Sequence, residues 1–298
     1  MHKIEQAIQV FLENIEDRTP EELDSLIEEF GDNCKKAIRE CLLVKRSEEP
    51  FSIRMSNIGK PLRQLLLEKL YGRSIMDAQM RLKMTYGYMW ESFLVFLLKA
   101  SKLNVKTNEK VLADIEYDEG KKLKVNGSYD IKIDGEIWDV KSASSWSFDN
   151  KFVSLATMEA DDPFGYVGQG AGYGIADKSR FAGWIVIDKS DGRIKVVETP
   201  KGKEYFDWLV RQAQALKDKI KWIMTKPNEL PPCEGVVDET FNKKLTGNKH
   251  LNATCGFCSY KYKCHPELVY AEESHSKAVN KKWKYYLGKP IKPTVGKE

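Results

Sequence analysis

The stretch GSYDIKIDGEIWDVKSAS, residues 127–144, predicts paired strands and also carries candidate reactive side chains. Apolar and polar side chains alternate along it, as in a β-strand, and Asp134-Gly135 is typical of a tight turn between paired strands. Asp130 is therefore predicted on the first strand, and Asp139 and Lys141 on the second. Because residues two apart on a strand share a face, Asp139 and Lys141 should project side by side.

The face that carries this pair also carries Ile137, so two charged groups would lie on an otherwise apolar stripe. Charged groups in such a place need partners, and a divalent cation satisfies clustered carboxylates well. Two interpretations follow from the residues alone. One is an ordinary Asp-x-Lys surface pair. The other is a site where Asp130 and Asp139 bind Mg²⁺ or Mn²⁺ for phosphodiester hydrolysis, and Lys141 orients water or offsets transition-state charge.

The flanking sequence predicts an α/β fold with a mixed central sheet, since helices precede, interrupt and follow the strands. Helical spacing, caps and breakers predict helices over residues 4–16, 20–45, 56–72, 76–102, 151–160, 163–177 and 201–225. Alternation predicts strands over residues 109–117, 122–133, 136–142, 181–188 and 193–199. Ser56 is the predicted N-cap of its helix, and the helix over 76–102 is apolar nearly all round, so we expect it to be buried.

Asp130, eight intervening residues and then Asp139-Val140-Lys141 resemble the motif of the PD-(D/E)XK nuclease superfamily, in particular its lambda-exonuclease and RecB-like branches. Glu91, on the long helix before the sheet, and Gln169 and Tyr173, in VGQGAGY, extend the resemblance in the family's order. The resemblance implies a restriction-endonuclease-like fold, in which helices flank a mixed central β-sheet.

The resemblance covers about residues 52–190 and implies a role for each matching residue. The catalytic residues would be Glu91, Asp130, Asp139, Lys141, Gln169 and Tyr173, and the ligands of Mg²⁺ or Mn²⁺ would be Glu91, Asp130, Asp139 and Val140. Gln169 and Tyr173 would order DNA or Lys141. The alternatives are that these two residues cap a glycine-rich packing surface, and that Glu91 is a core carboxylate with its own partner.

Two segments beside the motif are candidates for contact with DNA. RMSNIGKPLRQ, residues 54–64, resembles the segment that opens the fold in phage members of the family, where Arg and Ser near a helix N-terminus face phosphate. SASSWSFDNKF, residues 142–152, follows the lysine and offers hydroxyls for phosphate and rings for a base. The candidates are Arg54, Ser56, Arg63, Ser142, Ser144 and Trp146. The alternatives are a capped surface helix and loop anchors.

The cysteines near the C-terminus have a spacing typical of metal ligands, with Cys255, Cys258 and Cys264 close together and Cys233 22 positions before Cys255. Four cysteines can close a zinc site or hold a [4Fe–4S] cluster, and composition does not separate these options. CGFCSYKYKC, residues 255–264, resembles the C-terminal motif of iron–sulfur nucleases such as CRISPR-associated and AddB-type members. The resemblance implies a [4Fe–4S] cluster with Zn²⁺ as the alternative.

The first cluster ligand is where this sequence departs from the family pattern. Many iron–sulfur nucleases draw that ligand from upstream of the catalytic motifs, and the matching place here holds Leu62. Cys34 and Cys41 lie upstream, but their helical spacing of seven predicts core residues. Cys233 is therefore the expected fourth ligand, and His265 is a candidate only for zinc.

Composition and charge set the remaining expectations. The chain has 298 residues, 42% of them hydrophobic, and a net charge of +4, so we expect a real core, while the charge says little about partners. Residues 277–298 carry seven lysines and three of the aromatic rings, which suits nucleic acid; a solvated terminus is the alternative. The acidic N-terminus and the lack of a long apolar run predict a cytoplasmic protein with reduced cysteines and no membrane partner.

The expected organisation is a helical N-terminal arm (1–50), a nuclease core (51–225) and a cysteine-cluster segment with a basic tail (226–298). Residues 226–265 show no clear periodicity, so the cluster would tie them to the core. We expect a metal-dependent DNA exonuclease that acts at DNA ends in replication, recombination or turnover. The expected setting includes a bacteriophage, and both a monomer and a homo-oligomer stay open. The alternatives are an endonuclease of the same superfamily, an inactive DNA-binding module and a zinc-stabilised transcription-type protein.

Overall fold

The computed structural model describes residues 1–43, 50–72, 78–107 and 109–291. The helices are α1 Lys3–Glu13, α2 Pro20–Ile38, α3 Met55–Ile58, α4 Leu62–Tyr71, α5 Ala78–Ala100, α6 Ser145–Asn150, α7 Leu155–Ala160, α8 Tyr166–Asp177, α9 Gly202–Thr225, α10 Ala253–Gly256 and α11 Lys261–Cys264. The strands are β1 Val105–Thr107, β2 Lys110–Asp118, β3 Lys121–Ser128, β4 Ile131–Ile133, β5 Glu136–Ala143, β6 Phe181–Asp188, β7 Ile194–Glu198, β8 Val236–Phe241, β9 Lys244–Leu251, β10 Leu268–Glu272 and β11 Trp283–Leu287. Parts of two predicted helices, at 44–45 and 76–77, lie outside the described residues.

A five-stranded central sheet has the order β1-β4-β5-β6-β7. Strands β5 and β6 are parallel, with Asp139 beside Trp184, and the other neighbouring strands are antiparallel. Two apolar clusters pack on the sheet, one with α1 and α5 and the other with α8 and α9. The predicted α/β fold, a mixed sheet flanked by helices, is confirmed.

The alternation along β5 decides which side chains meet each layer. Ile137 belongs to the cluster that contains α8, whereas Trp138 and Val140 belong to the cluster that contains α1 and α5. Asp139 and Lys141 follow Ile137 at steps of two, so they share its face and point towards α8. The period of the sequence therefore places the two charged groups between the sheet and α8.

The N-terminal helix α1 packs on the core. Ile4, Ile8 and Phe11 on α1 are buried against the same cluster as α5. Glu5 Oε1 also accepts a hydrogen bond of 2.7 Å from the backbone N–H of Val196 on β7. The apolar stripe of α1 thus covers one face of the central sheet.

Two local predictions before and within the sheet are wrong. Ser56 is not an N-cap, because α3 begins one residue earlier, at Met55. Pro61 separates α3 from α4, because a proline disfavours helical backbone at the preceding residue and has no backbone N–H to donate. Residues 122–133 form two strands in different sheets, since β3 pairs with β2 and β4 pairs with β1 and β5.

Helix α5 is buried mainly in its C-terminal half, contrary to the prediction that it is buried throughout. Leu94, Leu97 and Leu98 are in the core, whereas Leu82 and Tyr86 are exposed. The described chain contains no helix that is both long enough and apolar enough to cross a membrane.

The C-terminal segment contains a sheet that the sequence does not predict. It has four antiparallel strands in the order β10-β11-β9-β8, so residues 226–265 are not irregular throughout. In the basic tail, β11 pairs with β10 along its length and with β9 at Tyr286. Asn242 and Lys243 form the β8–β9 turn with positive φ angles of 49° and 62°.

Candidate active site and cysteine centre

The predicted acid–lysine pair on β5 lies in a buried place. Only 2% of Asp139 is exposed, and Lys141 Nζ lies 2.5 Å from its Oδ2. Neither carboxylate oxygen of Asp139 has a well-formed hydrogen bond with the described residues, so the contact with Lys141 is an ion pair. Burial raises the pKa of Asp139 to about 7, against the opposing effect of Lys141. Burial alone would lower the pKa of Lys141, but Asp139 and Asp130 outweigh it and raise that pKa.

Asp130 faces this pair from the bend between β3 and β4, and not from within a strand as predicted. Its Oδ2 accepts a hydrogen bond of 2.9 Å from the backbone N–H of Val140. That bond fixes the carboxylate across the β4–β5 pair. The Val140 side chain is buried on the opposite face of β5.

Glu91 brings a third carboxylate to the site from α5. Burial, and then the nearby Asp130, raises the pKa of Glu91 to about 9, with Lys141 opposing the shift. Desolvation and a neighbouring carboxylate both favour the neutral form of a carboxyl group. The structure thus brings together Glu91, Asp130, Asp139 and Lys141, which are separated by up to 50 positions in the sequence.

Helix α8 lines the other side of the site. Gln169 Nε2 donates a hydrogen bond of 3.0 Å to the Tyr173 hydroxyl. Burial, and then Asp130 and Asp139, raises the pKa of Tyr173. Tyr166, which sequence reasoning missed, places its ring centroid 4.7 Å from Lys141 Nζ. Tyr166 lies three residues before Gln169, so the helical period could have placed both side chains on the same face of α8.

Glycines allow α8 to lie this close to the rest of the site. A Cβ at Gly165 would lie 2.0 Å from the backbone of Gly59, and a Cβ at Gly168 would also meet Gly59 at 2.8 Å. Asp162 holds the start of α8, since its carboxylate accepts the backbone N–H groups of Tyr166 and Val167 at 2.8 Å. The glycines that weaken the helical pattern in the sequence are therefore required by packing.

The predicted DNA-binding residues separate into three places. Arg54 and Ser56 line a cavity of about 540 Å³ together with Tyr173, next to the carboxylates. Arg63 does not belong to this group. Its Nε donates to Cys264 Sγ at 3.3 Å and its Nη1 to the carbonyl of Pro231, because α4 turns it towards the C-terminal segment.

The third place is the end of β5 and the start of α6. Ser142 lies on β5, and Ser144 is the N-cap of α6, where its Oγ accepts from the backbone N–H of Ser147 at 3.4 Å. Trp146 follows on α6 and is 59% exposed. The sequence predicted no helix over residues 145–150, whereas the structure has α6 there with Ser144 as its N-cap.

The carboxylate site fits a divalent cation in its chemistry. Three carboxylates lie within electrostatic reach of each other, and the most buried one has two oxygens without hydrogen bonds among the described residues. Glu91 also lines a cavity of about 120 Å³ that an ion with its water could enter. In the described chain no three His, Cys, Asp or Glu side chains already have the spacing of a closed metal site.

The four C-terminal cysteines line one cavity of about 40 Å³. The β8–β9 hairpin closes at its base with a hydrogen bond of 2.7 Å from the Asn252 N–H to the Gly235 carbonyl, which brings Cys233 next to Cys255. Burial, and then Cys233, raises the pKa of Cys255 to about 12. Four cysteines in one cavity, whose thiolates would repel each other without a cation, fit a metal or cluster that binds thiolates.

Cys34, Cys41 and His265 do not belong to the set of four cysteines that line this cavity. All six cysteines are free. Cys41 is buried near Arg81, as predicted for a core residue, whereas Cys34 is half-buried. His265 Nε2 lies 3.3 Å from Cys233 Sγ, which makes His265 a neighbour of the cysteine centre.

No protein-family model and no curated protein matches the sequence. Among solved structures, the chain is similar to the crystal structure of SSO0001, with 18% identity, a TM-score of 0.43, and coverage of 78% of this chain and 95% of that one. It is also similar to a phage-related exonuclease from Haemophilus somnus 129PT, with 15% identity, a TM-score of 0.34, and coverage of 60% and 97%. Both likenesses are distant.

Proposed function

We propose that this chain is a metal-dependent nuclease that hydrolyses phosphodiester bonds in DNA. The observation that carries the proposal is the set of three carboxylates, Glu91, Asp130 and Asp139, that shares a buried place with Lys141. Buried carboxylates repel each other unless a cation neutralises them. A positively charged side chain beside the carboxylates can stabilise the negative charge that develops on the phosphoryl oxygens during hydrolysis.

Glu91, Asp130 and Asp139 would hold Mg²⁺ or Mn²⁺, which when bound polarises the phosphoryl group and lowers the pKa of water. Val140 fixes Asp130 through its N–H, and its own part as a ligand stays a prediction. Lys141 stays protonated between Asp139 and the Tyr166 ring, so it can offset negative charge that develops on the phosphoryl oxygens.

The remaining residues position the substrate. Gln169 and Tyr173 form a hydrogen-bonded pair on α8, directly beside the carboxylates, and can direct a hydroxyl and an amide towards a phosphate. Arg54 and Ser56 line the 540 Å³ cavity that Tyr173 also lines, which suits the DNA backbone next to the cleaved bond. Arg63 has no part in this proposal, since it contacts the cysteine centre.

We further propose an exonuclease, so that cleavage begins at a DNA end. Linear and closed circular DNA, compared with Mg²⁺, Mn²⁺ or a chelator, separate the possibilities. Metal-dependent loss of linear DNA alone supports the exonuclease. Cutting of the circle identifies an endonuclease, and binding without cleavage of either DNA identifies an inactive binding module.

The cysteine centre is proposed to hold a [4Fe–4S] cluster with a structural role, through Cys233, Cys255, Cys258 and Cys264. A zinc ion bound by the same thiolates is the alternative. Brown colour and absorbance near about 400 nm in anaerobically purified protein support the cluster. A colourless protein that contains zinc contradicts it without affecting the nuclease proposal.

Substitution of the central pair tests the proposed catalytic site. Asp139→Asn and Lys141→Ala should each reduce cleavage by roughly a hundredfold or more, because each removes a charge that acts at the reacting phosphate. Binding of DNA should remain close to the parent's in a filter or anisotropy assay. Asp134→Asn, on the turn of the same hairpin, is the matched control and should keep full activity. Full activity of the Asp139 and Lys141 variants would refute the proposed site.

A further inference from the structure

A row of aromatic rings leads away from the candidate active site. Tyr166, whose ring covers Lys141, has its centroid 5.4 Å from that of Phe164. Phe164 in turn lies 5.1 Å from Phe257, which belongs to the cysteine segment. Phe164 and Phe257 are 41% and 58% exposed. Aromatic surface therefore continues from the core onto the C-terminal segment.

A second row of rings lies on the outer face of the four-stranded sheet. The backbone at Gly256, next to Phe257, leaves a Cβ position only 4.0 Å from the Tyr285 ring. Tyr285 stacks on Tyr270 at 4.5 Å, and Tyr270 lies 5.1 Å from Trp283. The aromatic strip, as we call it, consists of Tyr166, Phe164, Phe257, Tyr285, Tyr270 and Trp283.

On the four-stranded sheet, the strip lies on the face opposite the buried side chains. Tyr270 and Trp283 are 51% and 53% exposed, whereas Tyr286, on the opposite face of β11, is buried. Exposed rings that lie close together form an apolar surface, and such surfaces mark interaction sites. The partner should therefore present flat, apolar groups in a row.

Lysines accompany the strip along its length. Lys151 Nζ lies 5.4 Å from the ring centroids of both Phe164 and Tyr166. Lys261 Nζ lies 4.5 Å from the Tyr285 ring. Rings with ammonium groups beside them complement a chain that carries both bases and phosphates.

We propose that the aromatic strip binds a single strand of DNA that extends from the candidate active site. Unpaired bases offer their faces to aromatic rings, whereas bases in a duplex are already stacked and paired. This inference rests on the proposed function, because the strand bound by the strip would extend to the carboxylates of the candidate active site. Glu272 lies opposite Trp283 in the β10–β11 register and would repel phosphate, so the strip ends there.

The length of the strand makes the proposal testable. Binding of fluorescein-labelled oligothymidylates of about 6 and about 30 nucleotides, and of a blunt hairpin duplex, is measured by anisotropy without added Mg²⁺ or Mn²⁺. The double variant Tyr270→Leu/Trp283→Leu should bind the long oligonucleotide roughly tenfold or more weakly, because two stacking surfaces are lost. Binding of the short oligonucleotide and of the duplex should not change.

Two controls separate stacking from a general effect on the protein. Tyr270→Phe/Trp283→Phe keeps the rings and should bind the long strand like the parent. Phe206→Leu removes a ring that is 64% exposed on α9, away from the strip, and should have no effect. Unchanged thermal melting of each variant shows that the sheet is still folded.

The outcomes keep the strip and the nuclease proposal distinguishable. Parental affinity of the leucine variant for the long strand, or an equal loss of duplex binding, overturns the strip. Metal-dependent cleavage in that case still supports the nuclease. Strip-dependent binding by a chain that cleaves no DNA supports the strip and contradicts the nuclease.

Discussion

Position 235 shows how strongly one residue can constrain the cysteine centre. A Cβ on Gly235 would lie 1.9 Å from Cys255 Sγ, a distance that no side chain can tolerate. Gly235→Ala should therefore displace Cys255, lower the metal content of the purified protein and reduce its melting temperature. Metal analysis and a thermal melt measure the two effects.

Gly256→Ala is the matched control for that substitution. Gly256 lies in the same segment and has a negative φ, and a Cβ there meets only the Tyr285 ring at 4.0 Å, an ordinary contact. We expect its metal content and melting temperature to equal those of the parent. An unchanged metal content in Gly235→Ala would show that Cys255 is not a ligand.

Residue types and spacing predicted part of the site from the sequence. Asp139 and Lys141 follow from a period of two on a strand, which is a local property. Glu91 and Tyr173 needed the family resemblance, because no local pattern relates a residue on α5 to one on α8. The position of Arg63 beside Cys264, 201 residues away in the sequence, depends on the packing of α4 against the C-terminal segment.

At the scale of the elements, Glu239 on β8 ties the four-stranded sheet together. Its carboxylate accepts hydrogen bonds from Tyr286 at 2.5 Å and from Asn248, Ser274 and Thr246 at 2.8 to 2.9 Å. Burial would raise the pKa of Glu239, but these hydrogen bonds outweigh it and lower the pKa to about 2. A carboxylate with a lowered pKa stabilises the fold above its ordinary pKa, near 4.5, and that stabilisation is lost as the pH falls towards 2.

Glu239→Gln should therefore destabilise the protein most at neutral pH. The difference in the free energy of unfolding between parent and variant should shrink as the pH falls from about 5 towards about 2, because protonation removes the same charge from the parent. Denaturant unfolding at a series of pH values measures it. Glu234→Gln, an exposed glutamate next to the same strand, should show no such trend. A difference independent of pH would contradict the stabilising role of the charge.

The elements that the sequence did not predict have definite physical causes. The β8–β9 hairpin was missed because its turn places Lys243 at a positive φ, which is unusual for a lysine and gives no turn signal. The break between β3 and β4 was missed because apolar alternation continues through Tyr129 and Asp130 while the strand changes its partner. Alternation reports the exposure of side chains, and it does not report which strand is the neighbour.

In the whole molecule, the C-terminal segment is attached to the core around the cysteine centre. Leu67 on α4 packs against Cys258 and Tyr260, and the Tyr260 hydroxyl donates to the carbonyl of Gly72. Arg63 adds its bonds to Cys264 and Pro231. This apolar cluster is small, so a bound metal or cluster would contribute a large part of the attachment.

Cys258→Ser should therefore weaken the attachment of the C-terminal segment while the central sheet stays folded. We expect loss of the metal, a lower melting temperature, and proteolysis after about residue 225 that leaves a fragment of the core, because the released segment exposes its backbone. Cys34→Ser changes a cysteine outside the centre and should retain the metal and the parental resistance to protease. If Cys258→Ser lost its metal but resisted protease as the parent does, protein contacts alone would hold the segment. A retained metal would instead remove Cys258 from the set of ligands.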